Sequence, residues 1–248
     1  MPYILTVSPD FSPDHISGWY IFNTWLQKQI GEAIHLELYN SFQAQHEAIH
    51  LDKIDLIYAN PFDAAMLVRE KGFLPLVKAQ GMSDEAIIAV NEASAIRDVT
   101  ELSPGSRVAV TEDPDVRLMG MIMLEPADLT VDNVQIKVCD SYVLVAKQLL
   151  RGDADVGIFL AEAYDDLSNI IKKQLKILVQ SQIGVIQHAL LVGPRLAHRR
   201  DELRDTLLAM NVDEKGRDVL KNLSFDVWAS IEDEDMEFMI DLMDTLNT

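Results

Sequence analysis

The chain has 248 residues, 48% hydrophobic and 25% charged; this length suffices for one large domain or two lobes of about 100 to 150 residues, and the composition is that of a packed globular protein, not a disordered one. Forty acidic residues (40) against 21 basic ones leave a formal charge of −19, a field that repels phosphate backbones and anionic headgroups and so excludes nucleic acid and membrane surfaces as partners. One cysteine, Cys139 in the apolar run VQIKVCD, allows no internal disulfide and no cysteine metal cluster.

Short apolar runs alternate with helical patterns along most of the chain, which is the signature of a mainly parallel sheet covered by helices. YILTV at 3–7 predicts a strand, followed by the loop SPDFSPD and a helix whose face carries Trp19, Phe22, Leu26 and Ile30. IHLELY at 34–39, a short helix from Ser41 and the strand IDLIYA at 54–59 come next. Asn60 caps a helix that begins at Pro61 and closes at Gly72, before the strand FLPLVKA.

After Gly81 come the strand EAIIAV and a second set of units: RVAVT at 107–111, a helix near 115–124 and NVQIKV at 133–138. A helix with Tyr142, Val145, Ala146 and Leu149 on one face ends at Gly152, and ADVGIFL at 154–160, another helix and LKILVQ follow. The apolar stretch GVIQHALLVG leads to a helical tail whose apolar face of Met236, Phe238, Met239, Leu242, Met243 and Leu246 reads as core packing. Strands near 81–90 and 183–192 are expected to cross between sheets, so that the tail returns to the first lobe. The stretches KIDLIYANPFDAAMLV and DADVGIFLAEAYDDL echo each other, with Asp55 and Asp155 in matching places.

No apolar run approaches the roughly 18 residues of a membrane helix, and the N-terminus lacks the basic and apolar regions of a secretory leader. The expected protein is soluble, without membrane insertion, cytoplasmic as written or periplasmic where a leader has been removed. No dinucleotide, P-loop or nucleophile-elbow motif occurs, and no cofactor is expected. His46-Glu47-Ala48-Ile49-His50 matches H-E-x-x-H, with Glu70 at the spacing of a third zinc ligand. The helix is short and runs straight into Leu51-Asp52-Lys53 and a buried strand, so the motif is read as solvated or cleft-edge histidines rather than a zinc peptidase.

Four stretches in order, VSPD, KIDLIYANPFDAAMLVREKGFLPLVKA, SRVAVTEDPD and LLRGDADVGIFLAEAYD, resemble the phosphonate-binding family of ABC transporter receptors. The resemblance implies an α/β, two-lobed, type II periplasmic-binding-protein-like fold, each lobe a mainly parallel sheet flanked by helices. Lobe one is expected at 1–82 and 188–248, and lobe two at 83–187. It implies a small-molecule ligand in the cleft, and as partner an ABC permease or, in the cytoplasm, a regulator or enzyme.

Carried onto this chain, the family's ligand positions fall on Phe42, Asp84 or Glu85, Tyr142, Glu162 and His188, and Ser8 and Asn60 in the matched first-lobe stretches are further candidate ligand residues. The family's hydroxyl-rich turn, which holds phosphonate at a helix start, becomes Asp115-Val116-Arg117-Leu118-Met119-Gly120 after Asp113-Pro114. The hydroxyls are gone, and Arg117 is left as a bidentate donor for a carboxylate or phosphate group. Only Glu162, which in the family holds an amino group, keeps its identity. The expected ligand is therefore a small polar molecule other than a simple phosphonate. Plainer readings stand beside these: a solvated Arg117, a Glu162 that favours the helix dipole, an interior His188 and a packing Tyr142. Because the same fold carries enzymes resembling menaquinone-pathway dehydratases and thiamine-pyrimidine synthases, a lyase or synthase is the alternative.

Overall fold

The computed structural model describes residues 2–11, 15–184 and 186–246. Residues 12–14 of the SPDFSPD loop and Val185 of the stretch 184–193 lie outside the described residues, as does the side chain of Leu246. The chain forms two compact units: residues to Met82 with Gln187–Met243, and Ser83–Ile186 with the end of the chain from Asp244.

The first unit opens with β1 (Tyr3–Val7), α1 (Ile16–Ile30), β2 (Ile34–Leu36), α2 (Phe42–His50), β3 (Leu56–Ala59), α3 (Pro61–Lys71) and β4 (Leu74–Ala79). The second contains β5 (Ala86–Asn91), β6 (Arg107–Val110), α4 (Pro114–Met123), β7 (Gln135–Val138), α5 (Tyr142–Arg151), β8 (Val156–Leu160), α6 (Ala161–Asp165), α7 (Asn169–Lys172) and β9 (Leu175–Gln180). The chain then completes the first unit with β10 (Ala189–Val192), α8 (Arg200–Leu208), α9 (Glu214–Asn222) and β11 (Trp228–Ser230), and ends in α10 (Asp233–Leu246).

Local chemistry sets several boundaries. Asn60 Oδ1 accepts the Asp63 N–H at 2.8 Å, Pro61 takes the first helical position, and Gly72 closes α3 with φ 69°. Gly152 closes α5 in the same way at φ 70°. The face of α1 read from sequence is buried: Trp19, Phe22, Leu26 and Ile30 all pack inward. They join Tyr58, Phe225 and Trp228 in an aromatic cluster on one face of the first sheet, each such side chain contributing about 1.5 to 3 kcal/mol by burial. The opposite face is covered by residues of α2, α3 and α10.

Both sheets are mixed. The first runs β11-β4-β10-β3-β1-β2, with β10 antiparallel to β3 and β4, and β11 antiparallel to β4. The second runs β7-β6-β8-β5-β9, with β5 antiparallel to β8 and β9. As expected, most strands of each sheet run one way, β1 to β4 in the first and β6 to β9 in the second, while β10, β11 and β5 enter against them. Near 81–90 and 183–192 the strands themselves, β5 and β10, each lie within one sheet. Gly81 at φ 74° and Gly184 at φ 72° end the extended runs before them.

The echo between Asp55 and Asp155 is a shared structural device. Asp55 Oδ2 accepts the Ile4 N–H at 2.9 Å and an Arg195 N–H at 3.2 Å. Asp155 accepts the Arg107 backbone N–H at 2.8 Å and its guanidinium at 2.6 and 3.1 Å. Each carboxylate stands just before the inner strand (β3 or β8) and fastens the neighbouring parallel strand (β1 or β6) at the same register.

Candidate functional site

In the first unit the carboxyl ends of β1 and β3 and the start of β10 lie at one end of the sheet, because Ala189 pairs with Ala59 and Val7 with Tyr58. In open α/β sheets this end is where ligands bind. Ser8 follows β1 and is fully buried, and its N–H donates to the Tyr58 carbonyl at 2.8 Å. Asn60, fully buried at the end of β3, donates from Nδ2 to Ser8 Oγ at 3.1 Å and to Asp63 Oδ2 at 3.2 Å. These two predicted residues are thus brought together.

His188, just before β10, places Nε2 3.1 Å from Asp10 Oδ2 and stacks on Tyr58 with ring centroids 5.2 Å apart. Burial raises the Asp10 carboxyl, but the facing His188, by charge and hydrogen bond, and then Ser8 and the backbone outweigh it, so the net displacement is below the ordinary carboxylate value. Phe42 opens α2 behind the Ser41 cap, half-buried, with its ring 6.3 Å from that of His46.

The zinc motif does not assemble. His46 Nε2 sits 2.7 Å from the buried Asp63 Oδ1, and this hydrogen bond holds the imidazole above its ordinary value of 6.5. His50 is exposed, and Glu70 pairs with Arg69 at 3.0 Å. His46, His50 and Glu70 do not bring three ligand atoms within 4.8 Å of one another.

In the second unit the carboxyl ends of β6, β8 and β9 and the start of β5 share one end, since Ala86 pairs with Leu160 and Ile87 with Gln180. Asp113 follows β6 and caps α4; its Oδ1 accepts the Val116 N–H at 3.5 Å and its Oδ2 the Tyr142 hydroxyl at 2.7 Å. Asp115 lies in the same first turn, and both aspartates are buried. Burial of its hydroxyl, then the Asp113 carboxylate, push the Tyr142 phenol well above its ordinary value of 10.0. Arg117 is half-buried in α4, and Glu162 is exposed in the first turn of α6.

Glu85 has a different setting from a ligand-facing acid. Its carboxylate accepts the N–H groups of Ile183 at 3.1 Å and Gly184 at 2.7 Å, together with the Ser181 hydroxyl. Its carbonyl accepts the Ala161 N–H at 2.7 Å, and the neighbouring Asp84 N–H donates to the Ile186 carbonyl at 2.7 Å. Glu85 therefore fastens the segment that leaves the second unit. Cys139 is buried, which raises its thiol.

Asp10, Asp63 and Asp113 belong to these constellations but were not singled out from sequence. The available signal was position: all three lie just past strand ends, inside the stretches VSPD, ANPFD and TEDPD. Among the described residues no helix is long and apolar enough to cross a membrane.

Comparison with known proteins agrees with this architecture. No curated protein matches the chain in sequence. Among solved structures, PhnD1 of Prochlorococcus marinus in complex with methylphosphonate superposes with a TM-score of 0.82 at 14% identity, covering 99% of this chain and 98% of that one. A Xanthomonas citri protein bound to ATP gives 0.80 at 15% identity, with 99% and 98% covered. The binding protein component of an ABC phosphonate transporter from Pseudomonas aeruginosa gives 0.78 at 16% identity, with 100% and 89% covered. At these identities the likeness establishes the fold. The family model described as "ABC transporter, phosphonate, periplasmic substrate-binding protein" matches residues 5–236, and the chain accordingly belongs to this family of ABC-transporter substrate-binding proteins.

Proposed function

We propose that the protein captures a small polar solute other than a simple phosphonate and presents it to an ABC permease. The observation that carries this reading is the first turn of α4. A helix start is a natural anion seat because its N–H groups are unpaired and the helix dipole is positive there. Here the Asp113 carboxylate already takes that position, receiving the Val116 N–H and the Tyr142 hydroxyl, with Asp115 beside it in the same turn. A phosphonate dianion would have to displace a protein carboxylate and lie against a second one. Two of the structural relatives named above carry methylphosphonate and ATP, both phosphorus oxyanions; the first turn of α4 in this chain would meet such a group with carboxylates.

In the first unit Ser8, Asn60 and His188 are assigned to the solute, with Asp10 added; the second unit's own strand-end candidates are Tyr142, Arg117 and Glu162, with Asp113 added. Asp84 and Glu85 are assigned to holding the segment around 181–186. The family's periplasmic setting and its permease partner come with the assignment. A thermal-shift assay tests it: methylphosphonate at about 100 μM should leave the melting temperature unchanged, whereas a ligand with micromolar affinity at about 100 times its Kd would add about 2.7 kcal/mol of stability. Clear stabilisation by methylphosphonate would refute the reading.

A further inference from the structure

We infer that the strand-end site of the first unit is built to hold a positively charged group, so that the solute is an organic cation or carries an ammonium head there. The inference rests on the solute-binding reading above and deepens it.

Its central observation is Asp10. The side chain is 3% exposed, and Oδ2 receives His188 Nε2 at 3.1 Å. Oδ1 is buried and meets no donor at hydrogen-bond geometry among the described residues. Buried polar atoms are nearly always paired, and one that is not calls for a missing partner. For a carboxylate oxygen that partner is a hydrogen-bond donor, and in a buried setting a charged one is the strongest.

The surroundings favour a cation over an anion. Two carboxylates, Asp10 and Asp63, serve this strand end, and each holds a histidine nitrogen, at 3.1 Å from His188 and 2.7 Å from His46. Neither imidazole has that nitrogen left for an oxyanion. Asn60 Nδ2 is likewise shared between Ser8 Oγ and Asp63 Oδ2. An entering phosphonate would find acceptors where it needs donors. An ammonium group would find Asp10 Oδ1 and the lone pairs of the Ser8 hydroxyl. The net charge of −19 attracts cations to the molecule as a whole.

Calorimetric titration of the full chain near neutral pH with ethanolamine, choline and putrescine, and separately with methylphosphonate, tests this. At least one ammonium probe should bind and methylphosphonate should not. Asp10→Asn should weaken the ammonium probe by about tenfold or more, the loss expected of a charge-assisted hydrogen bond, and Asp10→Glu should recover part of it. Thermal unfolding of each variant checks that it folds, and if Asp10→Asn does not fold, the ranking of probes on the unaltered protein still decides between cation and anion. Binding of methylphosphonate but of no ammonium probe would overturn the inference together with the exclusion of simple phosphonates, whereas ammonium binding that Asp10→Asn leaves unchanged would overturn the inference alone and leave the solute-binding reading intact. Failure of every probe of both classes would overturn both.

Discussion

His46 and Asp10 both stand in carboxylate–imidazole pairs, and their displacements run in opposite directions. The His46 imidazole is held above 6.5 by its bond to Asp63. A raised histidine contributes stability that is full below its unfolded value and is lost as pH rises through its folded value. The stability difference between the native chain and His46→Gln should therefore be largest at mildly acidic pH and shrink from about pH 6.5 upward, as read by chemical denaturation across that range. Asp10 is depressed below 3.8, so its contribution is present above that value and fades only as pH falls through the lower one. Why the Asp63 partner escaped the sequence reading is physical. Asp63 sits three residues inside a helix and reads as a first-turn acid, yet the Asn60 cap turns it toward the strand end, where it meets a histidine seventeen residues away.

At the scale of elements, Glu85 is the sharpest case. Ungapped placement set it among ligand positions, but its donors come from residues 181–184, almost a hundred positions along the chain, and no local pattern announces them. Glu85→Ala should cost about 1 to 2 kcal/mol in denaturant unfolding, because it removes the charged acceptor of three part-buried donors. Glu85→Gln, which keeps one acceptor oxygen, should cost less. Gly18 is a second test. A Cβ there would lie 2.2 Å from the Asn222 carbonyl oxygen, where α1 meets the end of α9. The alanine gain of about 1 kcal/mol in helix propensity is outweighed by forcing backbones apart, so Gly18→Ala should lower stability by about 1 to 3 kcal/mol.

Elements with local stop signals were legible in the sequence. The cap Asn60 with Pro61 and Gly72, and Gly152 after α5, placed helix ends to within a residue. Elements whose reason is tertiary were not. β11 is three residues, Trp228–Ser230, and exists as a strand only because β4 offers it an edge. In α10, Met236, Met239 and Met243 pack inward as expected, but Phe238 is 54% exposed, since one helix cannot bury neighbouring positions on both faces.

At the scale of the whole molecule, element order and the matching roles of Asp55 and Asp155 made the fold readable, and the family follows from the match over residues 5–236. The charge of −19 has a kinetic consequence. Capture of a cationic solute should slow as salt shortens the screening length from about 30 Å at 0.01 M to about 10 Å at 0.1 M, and stopped-flow association rates will register the change. An anionic solute would show the opposite trend. The central claim is that this substrate-binding protein has exchanged an anion site for one that accepts cations. Native mass spectrometry of the protein purified from the cells that make it, with identification of the released solute, tests it most directly. The account predicts one small amine-bearing molecule per chain, and a bound phosphonate or phosphate without a cationic group would contradict it.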